Sequence, residues 1–254
     1  MPAARTIGSG AHVVLAVSGI FGSATAWQPL WPYLDESLFT YHFLDYRGYG
    51  ARATVAGDYS MEEAGADVLA FADEIGADRF SVLGHSMGGS VMQQVLVQAP
   101  DRVRSLFGIA PVPASGAPFD EQTWQLFQAA ATDLAARRAI IDFSSGAGRL
   151  SSVWVDALAR RSADTSTPAA FTGYLNAFAT TDFHHQIEGN MTPVRTLVGR
   201  HDPANNEAAM LETFARWYPN HTSIVLTDAG HYAVDEAPIL VATELERAIA
   251  ALER

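Results

Sequence analysis

The sequence contains no cysteine and no lysine. Without cysteine there is no disulfide framework, no thiolate nucleophile and no cysteine-ligated zinc. Without lysine there is no Schiff-base amine, no Ser–Lys dyad and no P-loop lysine. All 16 basic residues are therefore arginines, a bias that GC-rich coding also produces. Positive charge is scarce as well: 28 acidic against 16 basic residues leave a formal charge of −12. Nucleic acids and anionic membrane surfaces are recognised through basic patches, so neither is an expected partner. The pairs Arg137/Arg138 and Arg160/Arg161 are isolated and read as solvated helix faces. No run approaches the eighteen or so apolar residues of a spanning helix. The N-terminal stretch lacks the layout of a signal peptide. The expectation is a cytoplasmic protein acting on a small molecule, with nothing to indicate its oligomeric state.

What is present is an ordinary globular composition, 48% hydrophobic and 17% charged over 254 residues. Short apolar runs rich in β-branched residues recur at 12–18, 39–46, 80–84, 103–110, 193–199 and 222–227. They lack strict alternation, as expected of strands buried on both faces of a parallel sheet. Helical spacing lies between them, at 61–75, 87–98, 205–218 and 237–252. Strand alternating with helix predicts an α/β fold, a mostly parallel sheet flanked by helices on both faces. The alternation breaks between Pro111 and Thr192, an interval of about eighty residues. That is too long for a bare loop. Helical patterns at 121–136, 151–161 and 169–180 make it a helical cap, 112–191, inserted into a core of 1–111 and 192–254.

Residues 82–91, VLGHSMGGSV, place Ser86 between Gly84 and Gly88, with a strand before and a helix after. This is the Gly-x-Ser-x-Gly turn in the context that it requires. A sharp strand-to-helix turn strains the central residue and leaves no room for bulk two positions away. In return the hydroxyl projects above the sheet, near a helix N-terminus that favours negative charge. The competing reading is a glycine-rich turn with an ordinary N-cap serine, and the strand–helix context weighs against it.

A serine hydroxyl needs a base. Of eight histidines, His231 stands in DAGHY, just after an apolar strand and before the final helix. His85 adjoins the serine, but the strained turn points it elsewhere, which makes packing its expected role. His184 and His185 are neighbours and do not share a helix face, so a metal site from that pair is not expected. His12, His42, His201 and His221 read as structural or exposed. The base needs a carboxylate to fix its tautomer. Asp202, in LVGRHDP, directly follows an apolar strand, and the carboxyl ends of parallel strands converge on one crevice. Asp228, three residues before His231, is a rival too close in sequence to reach around the ring, and Asp182 is a weaker rival. The order Ser86…Asp202…His231 is the one expected of such a sheet.

With VSGIFGSATAW, DYRGYG, GHSMGG, LVGRHDP and AGHY in place, the sequence resembles the α/β-hydrolase superfamily, in particular its serine-hydrolase branch with a helical cap. The resemblance implies an oxyanion hole from the backbone N–H groups of Ile20 and Met87. One such donor contributes about 3–4 kcal/mol to transition-state stabilisation. Members usually carry His-Gly where this chain has Ser18-Gly19, a change that backbone donors tolerate. A serine is common shortly after DYRGYG, where this chain has Ala51 and Arg52. Epoxide hydrolases and haloalkane dehalogenases of the superfamily use aspartate at the elbow, so Ser86 argues against both. Hydroxynitrile lyases recruit a lysine that this chain lacks.

The expected function is a carboxylesterase working through a Ser-His-Asp triad and an acyl-enzyme, without metal or other cofactor. Phe21, Trp27, Trp124, Phe143 and Trp154 are candidate contacts to a small to medium apolar substrate, although cap aromatics more often fill core. The same triad could instead cleave a C–C bond in ring-cleavage diketones, a thioester or a lactone, or form a peracid. C–C hydrolases often have Asn where this chain has His85. A ligand-binding protein of the same fold, with little turnover, is the alternative of another class.

Overall fold

The computed structural model describes residues 5–251. Leu252, the expected end of the last helix, lies outside them. In chain order the elements are β1 (Arg5–Gly8), β2 (His12–Val17), β3 (Phe39–Leu44), α1 (Met61–Glu74), β4 (Phe80–His85), α2 (Gly88–Gln98) and β5 (Val103–Ile109). Four helices follow without a strand: α3 (Glu121–Ala129), α4 (Leu134–Ser144), α5 (Ser152–Thr165) and α6 (Pro168–Thr180). The chain then returns through β6 (Val194–Gly199), α7 (Glu207–Glu212), α8 (Phe214–Trp217), β7 (His221–Leu226), α9 (Ala233–Glu236) and α10 (Pro238–Ala250).

The seven strands form one sheet in the order β1-β3-β2-β4-β5-β6-β7. Every pairing is parallel except β1 with β3, where Arg5 faces Phe43. The strand period of two divides each apolar run between two cores. Val14 and Ala16 point with Leu83 and Phe107 into a cluster closed by Trp27 and by Val241 and Leu245 of α10. Leu15, Val17, Val82 and Leu106 point the other way, against Val68 of α1 and Val91 and Val95 of α2. Strands buried on both sides leave no polar face to alternate, which is why the sequence reads as continuous apolar runs. Each fully buried large aliphatic side chain contributes about 1.5–3 kcal/mol.

Helix starts follow local polar chemistry. The Ser60 hydroxyl accepts the Glu63 N–H at 3.0 Å, with Glu62 and Glu63 in the first turn of α1. The same chemistry divides the single helix expected over 121–136. Asp133 accepts the Ala135 N–H at 2.7 Å and restarts the chain as an N-cap, giving α3 and α4. A cap bond of this kind competes with helical continuation. The helix expected over 205–218 is likewise interrupted at Thr213, whose hydroxyl donates to the Ala209 carbonyl at 2.5 Å.

Parallel pairing brings the carboxyl ends of β2, β4, β6 and β7 to one edge of the sheet. The turn at 18–22, Ser86, Asp202 and His231 each follow one of these ends. The inserted helices lean over that edge, with Phe171 of α6 packed on Phe21 at 5.5 Å. No helix among the described residues is long and apolar enough to cross a membrane.

Candidate active site

Ser86 follows β4 with φ of 52°, left-handed backbone that costs a non-glycine residue about 1–3 kcal/mol. The surroundings enforce it. Its N–H donates to the Ile109 carbonyl at 3.0 Å, and its carbonyl accepts from Gly89 and Val112, both at 2.8 Å. A β-carbon on Gly84 would lie 2.3 Å from the Gly88 carbonyl oxygen, so the elbow closes only with glycine there. Gly19 meets the same limit from the β2 side: its β-carbon would fall 2.8 Å from Ser86 Cβ. The turn at 18–22 therefore rests directly on the serine. Met87 stands at the start of α2, where an amide has no intrahelical acceptor.

Asp202 accepts a hydrogen bond from His231 Nδ1 at 2.6 Å. Its other oxygen accepts the N–H groups of Ala204 and Asn205 at 2.9 and 3.0 Å. Burial alone would raise this carboxyl. The His231 charge and hydrogen bond and the two backbone donors outweigh it and hold the group below the ordinary carboxylate range. With the proton on Nδ1, the Nε2 lone pair of His231 is left for a substrate-side proton. Asp228 is exposed, and its carboxylate accepts from Thr227. Asp182 pairs with His184 at 2.6 Å on an exposed turn. Neither rival acid is hydrogen-bonded to His231.

The backbone of His231 is gripped from both sides. Its N–H donates to the Ser144 carbonyl at 3.2 Å. Its carbonyl accepts from His85 Nε2 at 2.9 Å. Glu236 takes the flanking N–H groups of Gly230 and Tyr232 at 2.9 and 3.2 Å and pairs with Arg149. His85 thus departs from expectation: it faces the cavity and ties the elbow to the loop that carries His231. Burial first, and then the neighbouring His231 charge, lower its pKa to about 3. It stays neutral at neutral pH.

Ser86 and His231 line one narrow, half-enclosed cavity, together with Ile20, Phe21, Trp27 and His85. Of the five aromatic contacts expected, only Phe21 and Trp27 are in the wall. Trp124 packs on Phe119 away from it, and Phe143 is 59% exposed. Trp154 sits behind the wall, edge-on to Tyr232 at 5.6 Å. Helical side chains fill the faces their neighbours offer, and no pattern in α3 to α6 told which face looks inward. Leu158 and Arg161 do look inward, from α5, with Tyr232 and Asp235 opposite. The i, i+3 spacing of the first two and the proximity of the others to His231 were the available signals.

Two of the arginines read as solvated are corrected. Arg161 lines the cavity and lies 3.4 Å from Asp235. Arg137 is 2% exposed, donates to the carbonyls of Ala130 and Ser162 at 2.6 and 2.7 Å, and covers the Phe171 ring at 4.5 Å. Arg52, standing after DYRGYG, is also buried and bonds Asp67 at 2.8 Å.

Known proteins share this fold. A family model for the alpha/beta hydrolase fold matches residues 12–238. The 3-oxoadipate enol-lactonase 2 of Acinetobacter baylyi is 26% identical over 239 residues, 92% of this chain and 87% of the relative. The pimeloyl-[acyl-carrier protein] methyl ester esterase of Aliivibrio salmonicida is 26% identical over 239 residues, 89% of this chain and 87% of the relative. The structure of an esterase from Exiguobacterium antarcticum superposes with a TM-score of 0.86 at 16% identity, over 97% of this chain and 94% of that one. At that identity the superposition speaks for the fold.

Proposed function

The chain belongs to the α/β-hydrolase fold family, and from that premise we propose that it is a serine hydrolase of carboxylic esters. Ser86 is the nucleophile, His231 the general base and then acid, and Asp202 the residue that orients His231. The backbone N–H groups of Ile20 and Met87 stabilise the oxyanion, and residues 112–191 serve as the cap. The observation that carries this reading is the 2.6 Å Asp202–His231 contact beside a strained serine, with serine and histidine in one cavity.

His231 Nε2 accepts the Ser86 proton as Oγ bonds to the ester carbonyl carbon. The carbonyl oxygen takes the negative charge between the two backbone donors. Collapse expels the alcohol, which takes its proton from His231, and leaves an acyl group on Ser86. A water molecule, deprotonated by the same histidine, then attacks the acyl carbon and releases the carboxylic acid. The cycle consumes one water and uses no cofactor. Asp202 stays ionised throughout and holds the imidazolium in place.

An internal ester is a second reading favoured by a specific observation. The relative matched over 92% of this chain is an enol-lactonase, and lactone opening runs through the same steps with the leaving alcohol retained in the product. C–C cleavage, thioester cleavage and peracid formation use the same three residues, but no similar observation favours them. The apolar wall given by Ile20, Phe21, Trp27 and Leu158 supports a small to medium apolar group beside the scissile bond.

The test is a graded panel of p-nitrophenyl esters, lactones, a thioester and a vinylogous diketone, on wild type and Ser86→Ala. Fluorophosphonate labelling is followed in parallel. Ester or lactone turnover and labelling, both lost in Ser86→Ala, are the expected result. A wild-type protein that neither turns over nor labels would make the fold a binding scaffold.

A further inference from the structure

The two tyrosines of DYRGYG take no part in the chemistry above, yet both hydroxyls end on the backbone of the turn after β2. Tyr46 donates to the Ser18 carbonyl at 2.8 Å, and Tyr49 donates to the Ile20 carbonyl at 3.0 Å. Between them, the Gly19 carbonyl accepts the Gly22 N–H at 3.0 Å. Three consecutive carbonyls are therefore held. A trans peptide is planar, so its N–H points opposite to its own carbonyl. Holding the Gly19 carbonyl, and the peptides on either side, sets the direction of the Ile20 N–H.

The turn needs outside restraint. Gly19 cannot carry a side chain, because a β-carbon would strike Ser86. Glycine is also the residue with the least conformational preference of its own. The geometry points to Tyr46 and Tyr49 as positioning residues that fix the Ile20 amide toward the developing oxyanion, a role that rests on the serine-hydrolase reading.

Packing alone does not account for the hydroxyls. Both rings lie against Tyr174 of α6, at 5.3 and 5.8 Å, where phenylalanine would fill the same space. Both residues are buried, and an unpaired buried hydroxyl is costly. Each spends its proton on this one turn. Burial pushes both phenols far above their usual pKa, which keeps them donors at any working pH. Through Tyr174, α6 braces the same pair of rings.

The experiment uses Tyr46→Phe, Tyr49→Phe and the double variant, with Tyr41→Phe as control. Tyr41 gives its hydroxyl to Glu246 at 3.1 Å, remote from Ser86. The readouts are kcat and KM on a p-nitrophenyl ester, inhibition by phenylboronic acid, the pH profile of kcat/KM, and melting temperature. Boronates form a tetrahedral adduct on serine and so report transition-state binding. Each single variant should lose about 5- to 10-fold in kcat, and the double about 30- to 100-fold. Boronate affinity should fall in parallel, with KM and the shape of the pH profile unchanged. Tyr41→Phe should keep kcat and boronate affinity, whatever it loses in melting temperature.

Unchanged kcat and boronate affinity in Tyr46→Phe and Tyr49→Phe would overturn the assignment. So would KM, boronate affinity and melting temperature moving together, as in a loosened fold. If one single variant does not fold, the other is judged by the same criteria. Fluorophosphonate labelling of Ser86 separates the two failures. Labelled protein with unmoved boronate affinity refutes only the tyrosine role, whereas unlabelled wild type refutes the hydrolase reading and this role with it.

Discussion

Acid should weaken the fold through His85, by an amount that one substitution isolates. Burial first, and then the His231 charge, lower the folded-state pKa of His85 from 6.5 to about 3. Above the unfolded value neither state carries the proton, and stability is unaffected. As pH falls through that value the unfolded chain takes up a proton that the folded chain refuses, so stability is lost progressively down to the folded value. For this shift the loss is about 2 kcal/mol at pH 5 and about 3 kcal/mol at pH 4. Against a total of about 5–15 kcal/mol for a typical domain, that is readily measured. His85→Gln removes the titration and keeps an N–H that can reach the His231 carbonyl. His42 and His221 are also lowered by burial and drift in both proteins alike. Urea unfolding followed by circular dichroism at steps from pH 8 to pH 4 gives the difference in stability between wild type and variant. That difference should move toward the variant by about 2 kcal/mol between pH 7.5 and pH 5. A difference that does not change with pH would refute the reasoning.

Other outcomes follow from single contacts. Asp202→Asn leaves His231 without its acceptor and with the wrong tautomer, and should lower kcat by about 10³–10⁴. Asp228→Asn should leave kcat within about twofold, since surface changes away from a site are small; the reverse result in steady-state kinetics would mean the acid is misassigned. Glu236→Ala frees the Gly230 and Tyr232 N–H groups on either side of His231. It should lower kcat about tenfold with little change in KM, as expected when an interaction needed only for the transition state is lost. Arg137→Leu takes the guanidinium donors from the Ala130 and Ser162 carbonyls, the latter keeping only the Thr165 and Ser166 hydroxyls. It should cost about 2–4 kcal/mol of stability, read by urea unfolding.

Much of the core was legible because its signals are local. Six of the seven strands sit within two residues of the apolar runs, and five of the six are buried on both faces and have no choice but to be apolar, while β7 is only partly buried. The elbow announced itself through Gly84 and Gly88, whose absence of side chains is a steric demand of the turn. Asp202 and His231 were singled out by their positions after strands, and the fold brings the two into hydrogen-bond contact. The helix breaks at Asp133 and Thr213 were missed because a capping or back-bonding side chain can equally be accommodated within a continuing helix, and only the packing decides. The cavity wall was read least well. Phe143 and Leu158 are both apolar residues on the helices between β5 and β6, yet one is exposed and the other lines the cavity that Ser86 also lines.

Local sequence was enough for six strands of the sheet, for the order of the residues that follow their ends and for the glycine-bracketed turn at Ser86, because each follows from sterics or periodicity within a few residues. Tertiary structure decided everything that depends on which distant surfaces meet. It turned His85 from a packed neighbour into a clasp on the His231 loop and buried Arg137 among carbonyls. It also brought the hydroxyls of Tyr46 and Tyr49 onto a turn that lies 28 and 29 residues away in sequence. A hydrogen bond across such a separation leaves no periodic mark in the chain. It exists only once the two segments are held together by the rest of the fold.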